Sequence, residues 1–347
     1  MTGRAVGFLC CTAAALAGIG GCGSTDAVSA SVARDPAAGG TLVEWHEVPS
    51  AHLQHRRNVT IWLPPGYEKD GDRRYPVIYA HDGQNLFVAD RSFSKVAWRL
   101  DVAIASGMEA RTIEPAIVVG VWNTPDRRRE YSPWDLGPQY ARFLSEELMP
   151  QVNLAFRTRV GPASTATIGA SMGGLISFWL CWKHPDRFGL GGCLSTHFVF
   201  SAADAARARG DAAAAEVAAT TPLIDDEIAA GAPFAPKPRP RLWLDHGTIN
   251  LDERYGPVQL RVDAWLEREG MRRGTDFESR VFEGADHNEA AWGSRVGEVL
   301  RFLLPATARD PRRRRQGNAR GGLDGGASIQ HGAGSLRTVP WTSPTTS

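Results

Sequence analysis

The sequence predicts an α/β protein in which a mainly parallel central sheet carries helices on both faces. Three observations predict it. Strand-like apolar runs alternate with runs of helical spacing over most of the chain. Several of those strand-like runs are apolar nearly throughout, as in strands covered on both sides. Finally, 165–175, TATIGASMGGL, passes from a β-branched run through a glycine-rich turn directly into a helix. The chain has 347 residues, 43% of them hydrophobic, which suffices for one large α/β domain with appendages.

From the first residue onward, each stretch has its own reason. Residues 1–21 read as an export signal: Arg4 is the positive start, 5–17 is apolar but too short for a membrane span, and Ile19-Gly20-Gly21-Cys22 matches a bacterial lipobox. A lipid on Cys22 would hold the protein at a membrane surface of the cell envelope; a plain secretory signal cut nearby is the competing reading, and both imply export. Residues 22–40, rich in Ser, Ala, Asp and Gly, read as a flexible tether, and 41–305 as the single folded domain. Within it strands are expected at 58–63, 76–80, 116–121, 165–169, 190–194, 241–245 and 279–282. Helices are expected at 139–152, 172–184, 257–269 and 290–303. The alanine-rich stretch 202–235, carrying Pro222 and Pro233, reads as a helical excursion over the functional end of the sheet. Residues 306–347, with four arginines at 312–315 and no apolar period, read as a disordered tail.

Net charge is +1, from 39 basic and 38 acidic residues, so the whole-chain balance does not call for a nucleic-acid partner. Of five cysteines, Cys10 and Cys11 leave with the signal and Cys22 would be lipidated. Cys181 and Cys193 remain, either as a pair formed in an oxidising compartment or, the favoured reading, as small buried thiols.

The turn at 169–173 has the form of a nucleophile elbow. A serine hydroxyl becomes a useful nucleophile when it is held out of the backbone within reach of a base, and a tight strand-to-helix turn does this. Gly169, Gly173 and Gly174 keep the crowded turn free of Cβ atoms. Ser171 is thus the candidate nucleophile, and the N–H of Met172, at the helix start, is free to receive an oxyanion.

A serine needs a base, and the base needs an orienting acid; in the α/β-hydrolase order both follow the elbow, acid first. Of nine histidines, His184, His197, His246 and His287 follow it inside the folded region, and of these only His246 and His287 lie beyond the apolar run 241–245 after which the acid is expected. His287 lies in a loop between a strand and the last helix, whereas His246 ends RLWLDH, where the acid is expected. His287 is therefore the candidate base. Asp252, in the loop beyond that strand, is the candidate acid, with Glu253 the near alternative and Asp245 a strand-end residue; a helix-capping role for Asp252 is the competing reading. A second oxyanion donor is expected from HDGQNLF, 81–87, where Gly83 lets the chain turn so that the N–H of Gln84 points at the reacting carbonyl. His81 and Asp82 are read as shaping that loop, since no further ligand cluster accompanies them for a metal.

Taken together, HDGQNLF, NTPDRRREYSPW, SEELMPQVNLAFRT running into IGASMGGLISFWLCWKHPDRFG, and GADHNEAAW resemble the Putative esterase family of α/β-hydrolases, the group related to esterase D, enterochelin esterases, feruloyl esterases and mycolyltransferases. The resemblance covers 41–305. It implies the α/β-hydrolase fold, Ser171 as nucleophile, His287 as base and the amides of Gln84 and Met172 as oxyanion hole, while the acid matches less closely because loop lengths differ there. The implied activity is hydrolysis of a small-molecule carboxylic ester through an acyl-enzyme, with no metal or organic cofactor. Arg129, Tyr131 and Trp134, in the loop after 116–121, are candidates for a substrate wall by their place at a strand end. An acyltransferase using the same residues and a catalytically silent surface lipoprotein are the alternatives.

Overall fold

A computed structural model describes residues 26–35, 37–234, 237–306 and 337–341. The export signal and Cys22 lie outside these residues. The described strands are β1 (Asp26–Arg34), β2 (Thr41–Val48), β3 (Arg57–Leu63), β4 (Val77–His81), β5 (Ile117–Val121), β6 (Thr165–Ala170), β7 (Leu190–Leu194), β8 (Arg241–Gly247), β9 (Phe277–Phe282) and β10 (Arg337–Trp341). They form one sheet in the order β10-β1-β2-β3-β5-β4-β6-β7-β8-β9. From β5 to β9 all pairings are parallel, and from β10 to β5 all are antiparallel.

Side-chain alternation explains why the central strands are apolar throughout. Val77 and Tyr79 of β4 enter one core and Ile78 and Ala80 the other; in β5, Ile117, Val119 and Val121 face the first and Val118 the second. On the first face lie the helices Met172–Lys183 and Gly256–Arg268, which bring Phe178 and Trp265 into ring contact. On the second face, Leu100–Glu109 and Glu289–Leu303 bury Ile104, Val296 and Leu300. Each such aliphatic side chain contributes about 1.5–3 kcal/mol on burial.

Several boundaries differ from expectation, and the differences have local causes. The 139–152 helix is present, but its middle, Phe143–Leu148, is a π turn between α-helical segments. Stretch 202–235 supplies three short helices, the first closed by a capping box between Ser201 and Asp204. Cys181 and Cys193 are free and buried, and burial pushes both thiols up, as the buried-thiol reading requires.

The tether and tail assignments need correction at two places. Within 22–40, β1 pairs with β2, and Val28 and Ala30 are buried at alternate positions, so a short apolar period hides in the Ser/Ala-rich composition. Within 306–347, β10 pairs with β1, and Trp341 meets Trp45 edge to face at 6.4 Å.

Candidate functional site

Ser171, Met172, Gln84, Asp252 and His287 lie just past the carboxyl ends of the parallel strands β6, β4, β8 and β9, where an open α/β sheet places its ligands. Ser171 follows β6 directly and caps the helix Met172–Lys183 with φ 58 and ψ −123. This conformation is rarely adopted by a residue with a side chain, and holding it costs on the order of 1–3 kcal/mol. The segment after β7 clamps it: the N–H of Ser171 donates to the Leu194 carbonyl at 3.0 Å, and the N–H of His197 donates to the Ser171 carbonyl at 3.1 Å. A Cβ on Gly169 would come within 2.5 Å of the Gly173 carbonyl carbon, so the strand and the helix can touch only without one. Met172, the first helical residue, has no carbonyl one turn back inside the helix, which leaves its N–H available.

The loop after β4 forms the second side. Asp82 takes φ 56 and ψ 48 and starts the short 3-10 turn Gly83–Asn85 that contains Gln84. Gly83 packs backbone to backbone on β5: a Cβ there would lie 2.3 Å from the carbonyl carbon of Gly120. The Asp82 carboxylate receives Arg127 through a two-pronged contact at 2.7 Å for each prong, and Asn123 Nδ2 at 2.6 Å. Burial opposes ionisation of Asp82, but the Arg127 charge and these hydrogen bonds outweigh it and hold the carboxyl below its ordinary range. His81 is buried, with Nδ1 at 2.9 Å from the Tyr140 hydroxyl and Nε2 at 2.9 Å from Thr167 Oγ1. Burial lowers it to about 3, so it is a neutral structural histidine with both ring nitrogens engaged and none left for a metal.

The third side comes from the loops after β8 and β9. His287 Nδ1 lies 2.5 Å from Asp252 Oδ1. The other oxygen of Asp252 accepts from the Gly247 N–H at 2.7 Å and the Ser195 hydroxyl at 2.5 Å. Burial pushes the Asp252 carboxyl up, yet the donors from His287, Ser195 and Gly247 prevail and hold it below the usual range. The two loops are stitched together, since the N–H groups of Thr248 and Ile249 both donate to the Ala285 carbonyl. Glu253 is exposed, and the Asp245 carboxylate is occupied by Arg295, Trp243 Nε1 and the N–H of Ser195. His246 is buried with Nδ1 on the carbonyl of Gly247, away from any base role.

Tyr255, which sequence reasoning missed, joins the sides. Its hydroxyl faces the Ser171 side chain and lies 2.6 Å from His197 Nδ1, and its ring meets His287 edge to face at 5.5 Å. Burial raises its phenol, so it stays protonated. The opposite contact of His287 is Trp292, at 5.0 Å. The available signal was position: Tyr255 closes the same loop as Asp252, and His197 ends the polar run Ser195-Thr196-His197 just past β7.

The three residues expected at a substrate wall, Arg129, Tyr131 and Trp134, are placed differently from one another. Tyr131 is fully buried and accepts from the Asp82 N–H through its hydroxyl, so it shapes the loop and lines no accessible surface. Arg129 is half-buried and paired with Asp135 and Asp126. Trp134 is half-buried, stacks on Phe200 and donates to Glu227; Phe200 in turn meets the ring of His197.

The family model described as Putative esterase matches residues 50–303. The Bacillus subtilis protein YbbA is 26% identical over 159 residues, which are 42% of this chain and 59% of that protein. An endo-1,4-beta-xylanase/feruloyl esterase of Xylanibacter ruminicola is 28% identical over 144 residues, 40% of this chain and 19% of that protein. The chain thus spans less than two thirds of the curated relatives it matches. A ferulic acid esterase shares the fold at 17% identity and a TM-score of 0.56, covering 76% of this chain and 98% of that one. The enterobactin esterase FES of Shigella flexneri does so at 19% and 0.55, covering 76% and 58%.

Proposed function

This chain belongs to the Putative esterase family, and on that premise we propose that it is a serine esterase working through an acyl-enzyme. Ser171 is the nucleophile, His287 the general base and Asp252 the acid that orients it. The observation that carries the reading is the strained serine at a helix start facing the same carboxyl edge as a 2.5 Å imidazole–carboxylate contact. Ser171 Oγ attacks the ester carbonyl carbon and its proton passes to His287 Nε2, while Nδ1–H stays on Asp252. The N–H groups of Met172 and Gln84 receive the negative oxygen. Collapse breaks the bond to the alkoxy group, which leaves as an alcohol with the proton from His287. Water then attacks the acyl-enzyme with His287 again as base, and the carboxylic acid departs. Tyr255 holds the Ser171 hydroxyl in the resting state, and Trp134 with Arg129 borders the substrate.

Treatment with a fluorophosphonate followed by mass spectrometry tests the assignment: the label belongs on Ser171 and disappears in Ser171→Ala. Labelling of a different serine would overturn it.

We propose separately, on the lipobox-like Ile19-Gly20-Gly21-Cys22, that a lipid on Cys22 holds the enzyme in the cell envelope. Among the described residues no helix is long and apolar enough to cross a membrane. Detergent phase separation checks the anchor: wild type enters the detergent phase and Cys22→Ser does not, whereas identical soluble behaviour of both favours a plain signal peptide.

A further inference from the structure

We propose that Ser195 is a positioning residue for this reaction: its hydroxyl proton, aimed at the Asp252 carboxylate by buried Trp292 and Arg295, fixes the acid and through it the His287 imidazole. The inference rests on the esterase reading above.

A hydroxyl has one proton to donate and two lone pairs to accept with. Ser195 is fully buried at the carboxyl end of β7, with φ 40. Trp292 Nε1 donates to its oxygen at 3.0 Å and Arg295 Nη2 at 2.7 Å. Neither an indole nor a guanidinium can accept a hydrogen bond, so both lone pairs are filled and the proton has one remaining destination. That destination is Asp252 Oδ2, at 2.5 Å. With Gly247 donating to the same oxygen, Oδ1 is left to face His287. The hydrogen bonds therefore run in one direction, from guanidinium and indole through hydroxyl to carboxylate.

The charge of Arg295 is balanced elsewhere. Its Nε and Nη2 contact Asp245 Oδ1 at 3.1 and 2.8 Å, and both residues are buried. Asp245 also accepts from the N–H of Ser195 at 3.1 Å, which fixes the serine main chain against the same ion pair. Asp252 thus receives a polarised hydroxyl and no direct cation. A guanidinium on that carboxylate would cancel the negative potential that stabilises the imidazolium, whereas a hydroxyl fixes its orientation and leaves the charge in place. Since Leu194 and His197, on either side, clamp the strained Ser171, one short segment supports the nucleophile by its main chain and the acid by a side chain.

The test uses the full chain with Ser195→Ala and Ser195→Cys. It measures kcat and KM for p-nitrophenyl acetate across the acid limb, thermal melting, and the low-field proton resonance of His287 Nδ1. The other groups facing the pair are His197 from the loop after β7, Tyr255 at the head of its helix and Asp286 beside His287, and all remain in both variants. Ser195→Ala is expected to lower kcat by about ten- to a hundredfold with KM nearly unchanged. Loss of the donor leaves Asp252 more negative toward the imidazole, so the acid limb moves to higher pH and the low-field resonance shifts. Ser195→Cys, with a weaker donor, falls between, and it decides on the same readouts if the alanine variant does not fold. A folded variant lacking the hydroxyl but with wild-type kcat, acid limb and resonance overturns the proposal. Asp252→Asn separates the two readings: full activity there sinks the acid assignment and this inference together, while a crippled Asp252→Asn beside an unaffected Ser195→Ala sinks this inference alone.

Discussion

Two histidine–aspartate neighbours flank the elbow, and their environments send them to opposite chemical ends. His81 and Asp82 are adjacent in sequence; His287 and Asp252 come from separate loops and touch in space. His81 is sealed, with a hydroxyl on each ring nitrogen, and Asp82 is neutralised by the two-pronged contact of Arg127. The His287 side chain keeps 14% of its surface exposed, and its carboxylate is held by a hydroxyl and an amide with the cation one step behind. On the proposed reading, residue type alone does not make a base. Access to one ring nitrogen and an unneutralised carboxylate on the other do.

The comparison breaks most visibly at the histidines. His287→Ala should lower kcat/KM by about a thousandfold or more, as severe as Ser171→Ala, because such groups fail as a unit. His81→Leu should retain turnover within about tenfold while losing on the order of 1–3 kcal/mol of stability, since Tyr140 and Thr167 lose their partner. Steady-state kinetics beside chemical melts check both, and a folded His81→Leu without activity would dissolve the distinction.

The carboxylates come next. Asp252→Asn should reduce kcat by about a hundredfold or more, and Glu253→Gln should match wild type. The reverse pattern in an ester assay moves the acid along the loop. On the other flank, Asp82→Asn releases the Arg127 fork and loosens the turn that carries Gln84, with a loss of about tenfold in kcat expected, since only one oxyanion donor is disturbed. An unchanged rate would uncouple that ion pair from the chemistry.

The remaining effect is on stability and follows pH. Burial holds His81 at about 3 and His197 at about 4, while an unfolded imidazole titrates at about 6.5. Below the unfolded value the unfolded chain binds protons that the folded one refuses. The stability these two residues contribute is fully present above that value and is lost as pH falls toward the folded values, by about 1.4 kcal/mol per pH unit for each. Melting temperature should be level near neutrality and fall from about pH 6 to 4, and His81→Leu should flatten that slope. An equally steep acid slope in His81→Leu would count against a neutral buried His81.

The strands from β3 to β8 were legible because burial writes itself as continuous apolar runs, as in Ile117–Val121, whereas β9, the half-exposed edge strand Phe277–Phe282, was legible only over 279–282. β2 was not, because a bulge between Trp45 and Val48 puts Glu47 at φ 53 and interrupts the alternation. Among the described side chains of β1 only Val28 and Ala30 are buried, too few to rise above a polar composition. At the site, chain order and strand-end position sufficed to bring Ser171, His287 and Asp252 to one edge. Tyr255 had only its place in the Asp252 loop to mark it, and Ser195 and Arg295 were invisible because their significance lies in contacts across long sequence distances: Arg295 reaches a serine 100 residues away. Only the fold supplies that adjacency.

The pairing of β1 with β10 has a mechanical consequence. Asp26 stands opposite Trp341, so chain leaves and enters the sheet at the same end of an antiparallel pair. Tension applied between these two residues loads the ladder one hydrogen bond at a time, as a zipper opens, while the parallel strands that carry the elbow lie beyond β2 and β3 and bear none of the first pull. Under force the outer strand should peel away well before the reacting residues move apart.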